Sequence, residues 1–507
     1  MLIETAKDPY RYCNAVSLAV AGYAIDQVKS ALEASIQRHE LLRSGFISTE
    51  QSASAFAVVV WPRLCDWQVT VTETFNQRFA LEKEEDFLRP LSVQLRESQA
   101  GVEVLLKLHH ALYDQWSIDV FKADLAAELH GKTHEPPTQF VDVSAFHTTN
   151  AEFIRSEEAL DFWQTHLSGF TSTTFPLMNG RFEPPALRQT SWHDFDVDLL
   201  KARRSTADLG YSLPTLYQAA YAYLLSLYSG SADVTFGTVF SGRHISVAGI
   251  ESVFGPCLST LPSRLDLSGV NSCLDLLRLT QDRNRAMQRH SLTPLVDIKK
   301  AIRHTPSESL FDSLFVWQET SLNMEGAHNA VTEISSADQH EYNFVLELEP
   351  TSSGVKARAT YQQQLIPSEQ AQLALQQIGS IARYLLEQPQ DPVEKLLGAF
   401  DRQQLSCTNT QPSTAASSRE IVSSMEMSVD SRPDEMAIEF AERIDDGNAI
   451  THGVTYMELN RKVNRLARFL RSNGVSTGGM VCVCMEKSVD LYVSIDRKAS
   501  CRERVSY

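Results

Sequence analysis

Apolar residues along the chain change period at one place. Val102, Val104, Leu106 and Leu108 fall at every second position, with Glu103, Leu105 and Lys107 between them, which predicts a strand. Beyond them Ile118, Phe121, Leu125 and Leu129 recur at helical spacing. A strand-to-helix turn is therefore expected at Leu108-His109-His110-Ala111-Leu112-Tyr113-Asp114-Gln115-Trp116-Ser117. Ser117 reads as the helix N-cap, with Asp119 in the first turn. By parity His110 shares the strand face of Val104 and Leu106, and His109 points the other way.

The same reading extends in both directions. Residues 15–21 predict a strand, and Val28, Leu32 and Ile36 form the apolar stripe of a helix that runs into Arg38 and Arg43. Glu135-Pro136-Pro137 breaks the chain, and a helix carrying Phe162, Trp163 and Leu167 follows. Ser212-Leu213-Pro214 starts a helix with Leu216, Ala220 and Leu224 on one side. Residues 233–238 read as a strand and Ser241-Gly242-Arg243 as its turn. Residues 406–418, rich in Ser, Thr, Pro and Ala, read as a linker. After it Leu459, Val463, Leu466, Ala467 and Leu470 make a helix, and residues 475–487 a strand.

Composition narrows the function classes. At 507 residues the chain has room for two to four domains. Its net charge of −17 argues against nucleic acid or an anionic membrane as the main partner. Eight cysteines include no C-x-x-C pair, so neither a zinc site nor a disulfide framework is suggested. The start Met1-Leu2-Ile3-Glu4-Thr5 lacks a basic-then-apolar signal, and no apolar run is long enough to span a bilayer. A cytoplasmic setting is expected.

The paired histidines carry the candidate chemistry. Adjacent histidines on opposite strand faces cannot easily share one metal ion, and no G-x-S-x-G elbow lies near them. His130 and His134 are four apart, but Gly131 and the following prolines argue for a loop over a metal-binding helix. Two adjacent histidines also arise by chance, so the wider sequence has to decide.

His109-His110-Ala111-Leu112-Tyr113-Asp114 resembles H-H-x-x-x-D-G, the signature of nonribosomal peptide synthetase condensation domains, with Gln115 in place of Gly. Arg38-His39-Glu40-Leu41-Leu42-Arg43-Ser44-Gly45-Phe46 is similar to the family's R-H-E-x-L-R-T-x-F. Phe162-Trp163 with Leu167 is similar to its F-W-x-x-x-L segment. Residues 254–264 resemble G-x-F-V-N-T-L-P-x-R, with Cys257 for the aromatic and Ser259 for Asn. His290 to Pro294 resembles a short H-x-x-x-P segment, and residues 310–317 a P-L-F-x-x-x-F strand. From residue 455 the elements T-Y-x-E-L, G-V-x-x-G-D-x-V and E-R-S of an adenylation-domain opening are recognisable, with Gly479 for Asp and Lys487 for Arg. Residues 496–504 are dense in charge where that resemblance calls for an apolar helix.

The resemblance implies an α/β fold of two chloramphenicol-acetyltransferase-like lobes in a V, with a tunnel between them. It divides the chain into an N-lobe at 1–170, opened without the family's early P-L-Q-x-G-M-L element and so expected to lack upstream sequence, a C-lobe at 171–396, a linker at 397–420 and a partial adenylation domain at 421–507. It implies amide-bond formation between a donor acyl or peptidyl thioester and the amine of an acceptor aminoacyl thioester, in a fungal multimodular synthetase of the kind that makes hydroxamate siderophores. The motif His109, His110 and Asp114 is the expected catalytic group, with His110 handling the amine proton, His109 packing and Asp114 holding the turn. Arg43, or next Arg38, is expected to reach Asp114, and Ser117 and Gln115 to support the turn. Gly255, Thr260, Arg264 and Trp317 are the tunnel or substrate-side candidates. No metal and no cofactor is expected on this chain. Phosphopantetheine belongs to upstream and downstream peptidyl carrier domains, and ATP with magnesium only to a complete adjacent adenylation domain. The rival readings are a catalytically degenerate docking platform and a coenzyme A-dependent acyltransferase.

Overall fold

The computed structural model of the chain describes residues 1–49, 55–63, 69–99, 101–132, 135–176, 188–305, 308–318, 330–337, 339–400, 427–445, 448–475, 483 and 485–500. The chain divides into two units, Met1–Cys407 and Thr408–Tyr507.

The first unit holds strands β1 (Cys13–Val20), β2 (Ser44–Ser48), β3 (Phe56–Val60), β4 (Val69–Val71), β5 (Leu91–Ser98), β6 (Gly101–His109), β7 (Arg188–Asp196), β8 (Asp233–Phe240), β9 (Ser259–Asp266), β10 (Ser313–Trp317), β11 (Val331–Ala337), β12 (Phe344–Thr351) and β13 (Gly354–Gln362). One sheet runs β11-β1-β6-β5-β4 and the other β7-β13-β12-β10-β8-β9, while β2 and β3 form a separate hairpin. In the second sheet β10 lies parallel to both β8 and β12, and its other pairs are antiparallel.

Each sheet builds its own core. Val104, Leu106 and Leu108 of β6 pack with Val28, Leu32 and Ile36 of helix Ile25–Arg38 and with Ile118, Phe121 and Leu125 of helix Gln115–Leu129. Burying such side chains supplies the hydrophobic part of folding, roughly 1.5–3 kcal/mol for each one fully withdrawn from water. Around the second sheet, helix Leu213–Ser229 was expected to bury one side. It is instead buried on all sides from Thr215 to Leu225, because helices Cys273–Arg289 and Ser368–Glu387 flank it. A helix apolar all round needs neighbours all round.

Strand β11 follows β10 in the chain yet pairs with β1, so the segment expected to form the second lobe completes the sheet of the first. Its register, Ala15 opposite Ala337 and Val16 opposite Ser336, brings residues just after it up against the chain just before β1.

In the second unit β14 (Met436–Asp445) and β15 (Asn448–Thr455) form an antiparallel hairpin. Helix Tyr456–Ser472 follows, with the Thr455 hydroxyl accepting the Glu458 N–H and with Leu459, Val463 and Ala467 buried. The expected linker at 406–418 and most of the expected strand at 475–487 lie outside the described residues. No helix among the described residues is long and apolar enough to cross a membrane.

Candidate active site

Strand β6 ends at His109, where Cys13 of β1 is its partner. The chain then makes a 3-10 turn over His110–Leu112 before helix Gln115–Leu129 begins. Parity therefore cannot be carried to His110, and its assignment to the Val104 and Leu106 face is corrected: the turn, not the strand, aims it.

The two histidines are held in different ways. His109 is fully buried, its Nδ1 accepting the Ala111 N–H at 3.1 Å and its Nε2 lying 2.8 Å from Thr5 Oγ1. With Nδ1 accepting, Nε2 carries the proton and donates to Thr5. Burial, with His110 beside it, pushes the His109 imidazole down to about 3 and keeps it neutral. His110 is half-buried, with Nδ1 2.9 Å from the Tyr113 carbonyl. A carbonyl can only accept, so Nδ1 carries the proton and Nε2 keeps a lone pair. The ring also packs on Tyr113, centroid to centroid at 4.8 Å.

Asp114 ends the turn and starts the helix. It is the N-cap, with Oδ1 accepting the Ser117 N–H at 2.9 Å and the Ser117 hydroxyl at 2.6 Å. Ser117, expected as the cap, is the third helical residue of a capping box, and its Oγ accepts the Asp114 N–H at 3.2 Å. The helix is therefore capped three residues earlier than expected, by the carboxylate and not the hydroxyl.

The expected pairing of Arg43 with Asp114 is also corrected. Arg43 ends the short 3-10 turn Glu40–Arg43 that leads into β2, and donates to the Trp61 carbonyl. Arg38 goes to Asp124, with Nε 3.4 Å from Oδ2, and His39 Nε2 lies 2.7 Å from the same oxygen. The basic motif thus holds helix Gln115–Leu129 at Asp124, not at the cap.

Asp114 pairs with Arg243, from the turn after β8. Arg243 Nη2 lies 2.9 and 3.1 Å from the two carboxylate oxygens. Its Nη1 donates to the carbonyls of Ile250 and Val253 at 2.9 and 3.0 Å. The Cys257 N–H donates to Asp114 Oδ2 at 3.1 Å, and the Gly255 N–H to Ser117 Oγ at 3.0 Å. Trp116 lies against the guanidinium and donates from Nε1 to the Glu251 carbonyl at 2.9 Å. These contacts tie the turn of the first sheet to residues 243–257 of the second. The approach is close enough to need glycine twice. A Cβ on Gly255 would stand 2.2 Å from the Phe140 ring, and one on Gly242 would stand 1.8 Å from the Cys257 carbonyl oxygen.

The remaining candidates divide. Gln115 is the first helical residue, and the only described non-glycine residues with positive φ are Tyr12 and Arg303. The position needs no glycine conformation, which removes that reason for expecting Gly there. Gly255 belongs to the site. Arg264 does not join it: its guanidinium holds Asp233 at 2.8–3.2 Å and the Ser168 carbonyl, within and beside the second sheet. Trp317 stacks on Tyr217 at the end of β10, and Thr260 lies half-buried on β9 opposite Val239. Arg243 was missed because Ser241-Gly242-Arg243 was read only as a turn; its one signal was a lone arginine after a buried strand. Among the described residues no cluster of His, Cys, Asp or Glu is placed to hold a metal ion, and His134 lies outside them.

Residues 2–406 match the model of the condensation domain family. The chain is 34% identical over 98% of its length to the nonribosomal peptide synthetase sidC of Arthroderma benhamiae, and 32% identical over 98% to nonribosomal peptide synthetase 2 of Cochliobolus heterostrophus. It spans about a tenth of each, 10% and 9%. The condensation domain of the monacolin K polyketide synthase MokA superposes with a TM-score of 0.64 over 77% of this chain and 96% of that one, at 17% identity. The X-domain from teicoplanin biosynthesis superposes with a TM-score of 0.63 over 77% and 94%, at 20% identity. The chain belongs to the condensation domain family, and its first unit is the condensation domain of a nonribosomal peptide synthetase.

Proposed function

We propose that this domain joins a donor acyl or peptidyl thioester to the amine of an acceptor aminoacyl thioester, each delivered on the phosphopantetheine arm of a peptidyl carrier domain. The observation that carries this reading is the 2.9 Å contact of His110 Nδ1 with the Tyr113 carbonyl, which fixes the ring's tautomer. With Nδ1–H committed to the Tyr113 carbonyl, Nε2 is free to accept a proton in a turn locked by Asp114 and Arg243. The amine nitrogen attacks the thioester carbonyl carbon, the C–N bond forms and the C–S bond breaks. Nε2 of His110 takes the amine proton and returns it to the departing thiolate, so the imidazole ends as it began. Because the thioester is already activated, orientation of the two arms supplies much of the remaining rate. His109, neutral and bonded at both nitrogens, acts through packing.

In this reading the two lobes open as a V around the tunnel that admits both arms, and this chain binds no cofactor of its own. Residues 421–507 form the opening of an adenylation domain, supported by Thr455-Tyr456-Met457-Glu458-Leu459 and by relatives whose similarity runs through 98% of the chain. The full synthetase makes a peptide of the hydroxamate siderophore class. The experiment mixes the protein with one acyl-loaded and one aminoacyl-loaded carrier and follows the acceptor carrier by intact mass. A mass gain equal to the donor acyl group is expected. No transfer from any loaded pair would favour the docking platform, and transfer from acyl-coenzyme A alone would favour the freestanding acyltransferase.

A further inference from the structure

Beside the motif lies an imidazole that the mechanism above does not use. The His110 N–H donates to the Tyr12 carbonyl at 2.8 Å, and the Tyr12 N–H donates to the Gln339 carbonyl on its other side. The chain before β1 is thus flanked by the catalytic turn and by residues just after β11. Tyr12 sits there at a φ of 62°, an outlier for a bulky side chain. The buried Asn14 amide ties the same two segments, donating from Nδ2 to the Tyr113 hydroxyl and accepting the Gln339 N–H at Oδ1, each at 2.8 Å. From the second sheet Arg188 donates to the carbonyls of His340 and Tyr342. The backbone of residues 339–342 is therefore fastened from both sheets.

Among the described residues, the His340 side chain in this fastened segment makes no hydrogen bond of good geometry. Both ring nitrogens are sealed from water and neither meets hydrogen-bonding geometry, although the Tyr342 backbone approaches. Its electrostatic neighbours are Arg188, Arg358 and His110. Arg358 in turn holds Glu347 and Ser336 Oγ. Burial, first, and the Arg188 and Arg358 guanidiniums keep the imidazole neutral, its basicity pushed well below the ordinary histidine range. An unsatisfied buried polar group is costly, and a phenylalanine would fill the space without that cost. His109 has both nitrogens bonded. His166, whose nitrogens are also unpartnered, stacks flat on Phe162 in an aromatic cluster, and its charged neighbours Arg283 and Arg264 include no residue of the catalytic turn.

We propose that His340 is a substrate-contacting residue of this site, turning its ring to hydrogen-bond an uncharged amide beside His110. A neutral imidazole offers one donor and one acceptor, the complement of an amide N–H and C=O. That chemistry occurs both in the pantetheine arm and in an acyl or peptidyl donor. The inference rests on the condensation reading for its substrate class, but binding tests it without turnover.

The test measures the dissociation constants of two probes for the full chain and for its His340→Phe and His340→Gln variants. One probe is a carrier bearing the bare phosphopantetheine arm. The other is a carrier whose arm holds an N-acetylaminoacyl group through an amide in place of the thioester. His340→Phe is expected to bind about tenfold more weakly, the size of one lost hydrogen bond, and His340→Gln within about threefold of wild type. Equal weakening on both probes assigns the contact to the arm, and weakening on the acylated probe alone assigns it to the acyl group. His340→Phe should melt no lower than wild type, since its nitrogens have no partners to lose. Unchanged affinity of His340→Phe for both probes overturns the proposal, as does a failure of wild type to bind either. Binding that depends on His340 in a protein that forms no amide would uphold it while the condensation reading falls.

Discussion

Asp114 and Arg243 stand 129 residues apart in sequence and meet through Arg243 Nη2, 2.9 and 3.1 Å from the two carboxylate oxygens, with both side chains almost wholly withdrawn from water. One pair thereby caps the helix behind the catalytic turn and joins that turn to the second sheet. The geometry makes Asp114 a support for His110 and not a second base, since each of its oxygens is already occupied.

Removing one partner of such a pair leaves a buried charge uncompensated. Asp114→Ala and Arg243→Ala should each lower unfolding stability by roughly 3–5 kcal/mol, and the double variant should lose less than the sum of the two. Urea unfolding of the four proteins checks this. Strict additivity would mean that the two side chains do not act together.

The acid side of the stability profile should be set by histidines buried neutral. His166 titrates near 6.5 when unfolded but only at about 4 when folded, because burial penalises its charge. His109 follows the same course, falling to about 3. The folded state holds fewer protons between those values, so the stability present above pH 6.5 is lost as pH falls through the window. For His166 the loss at pH 5 is roughly 2 kcal/mol. His166→Phe should flatten the slope between pH 7 and 5 relative to wild type. Parallel slopes for the two proteins would count against a neutral buried imidazole there.

Gln115 should be a tolerant position for the fold and a selective one for substrates. It begins a helix with ordinary backbone geometry, so Gln115→Gly should cost only about 0.5–1 kcal/mol. Turnover should persist and extend to bulkier donors, read as relative rates across a series of acyl-loaded carriers. Restoration of activity to an otherwise inactive wild type would instead mark the natural glutamine as disabling.

Much of this site could be read from local pattern. The change of period at residue 109 and the stripe Val28, Leu32, Ile36 are properties of neighbouring residues, and the turn falls where the first puts it, although Asp114 and not Ser117 caps the helix. Pairings between distant segments were mostly not legible, although Gly255 does join the site as expected. Parity broke at His110 because a strand's alternation stops where its pairing stops. Arg43, with Arg38 next, is the expected partner because both sit in a dense basic motif, whereas Arg243 on the other sheet shows only as a lone arginine after a buried strand. The joining of β11 to β1 was invisible for the same reason: pairing depends on what the rest of the chain packs against. His340 belongs to no motif, and only its two unpartnered nitrogens mark it.

The account turns on the free Nε2 of His110, and the most direct measurement replaces that residue. His110→Ala should form amide about 10²- to 10⁴-fold more slowly than wild type with the same pair of thioester-loaded carriers, while melting temperature and carrier affinity stay close to wild type. Amide formation by His110→Ala within a few-fold of the wild-type rate would contradict the role assigned to His110.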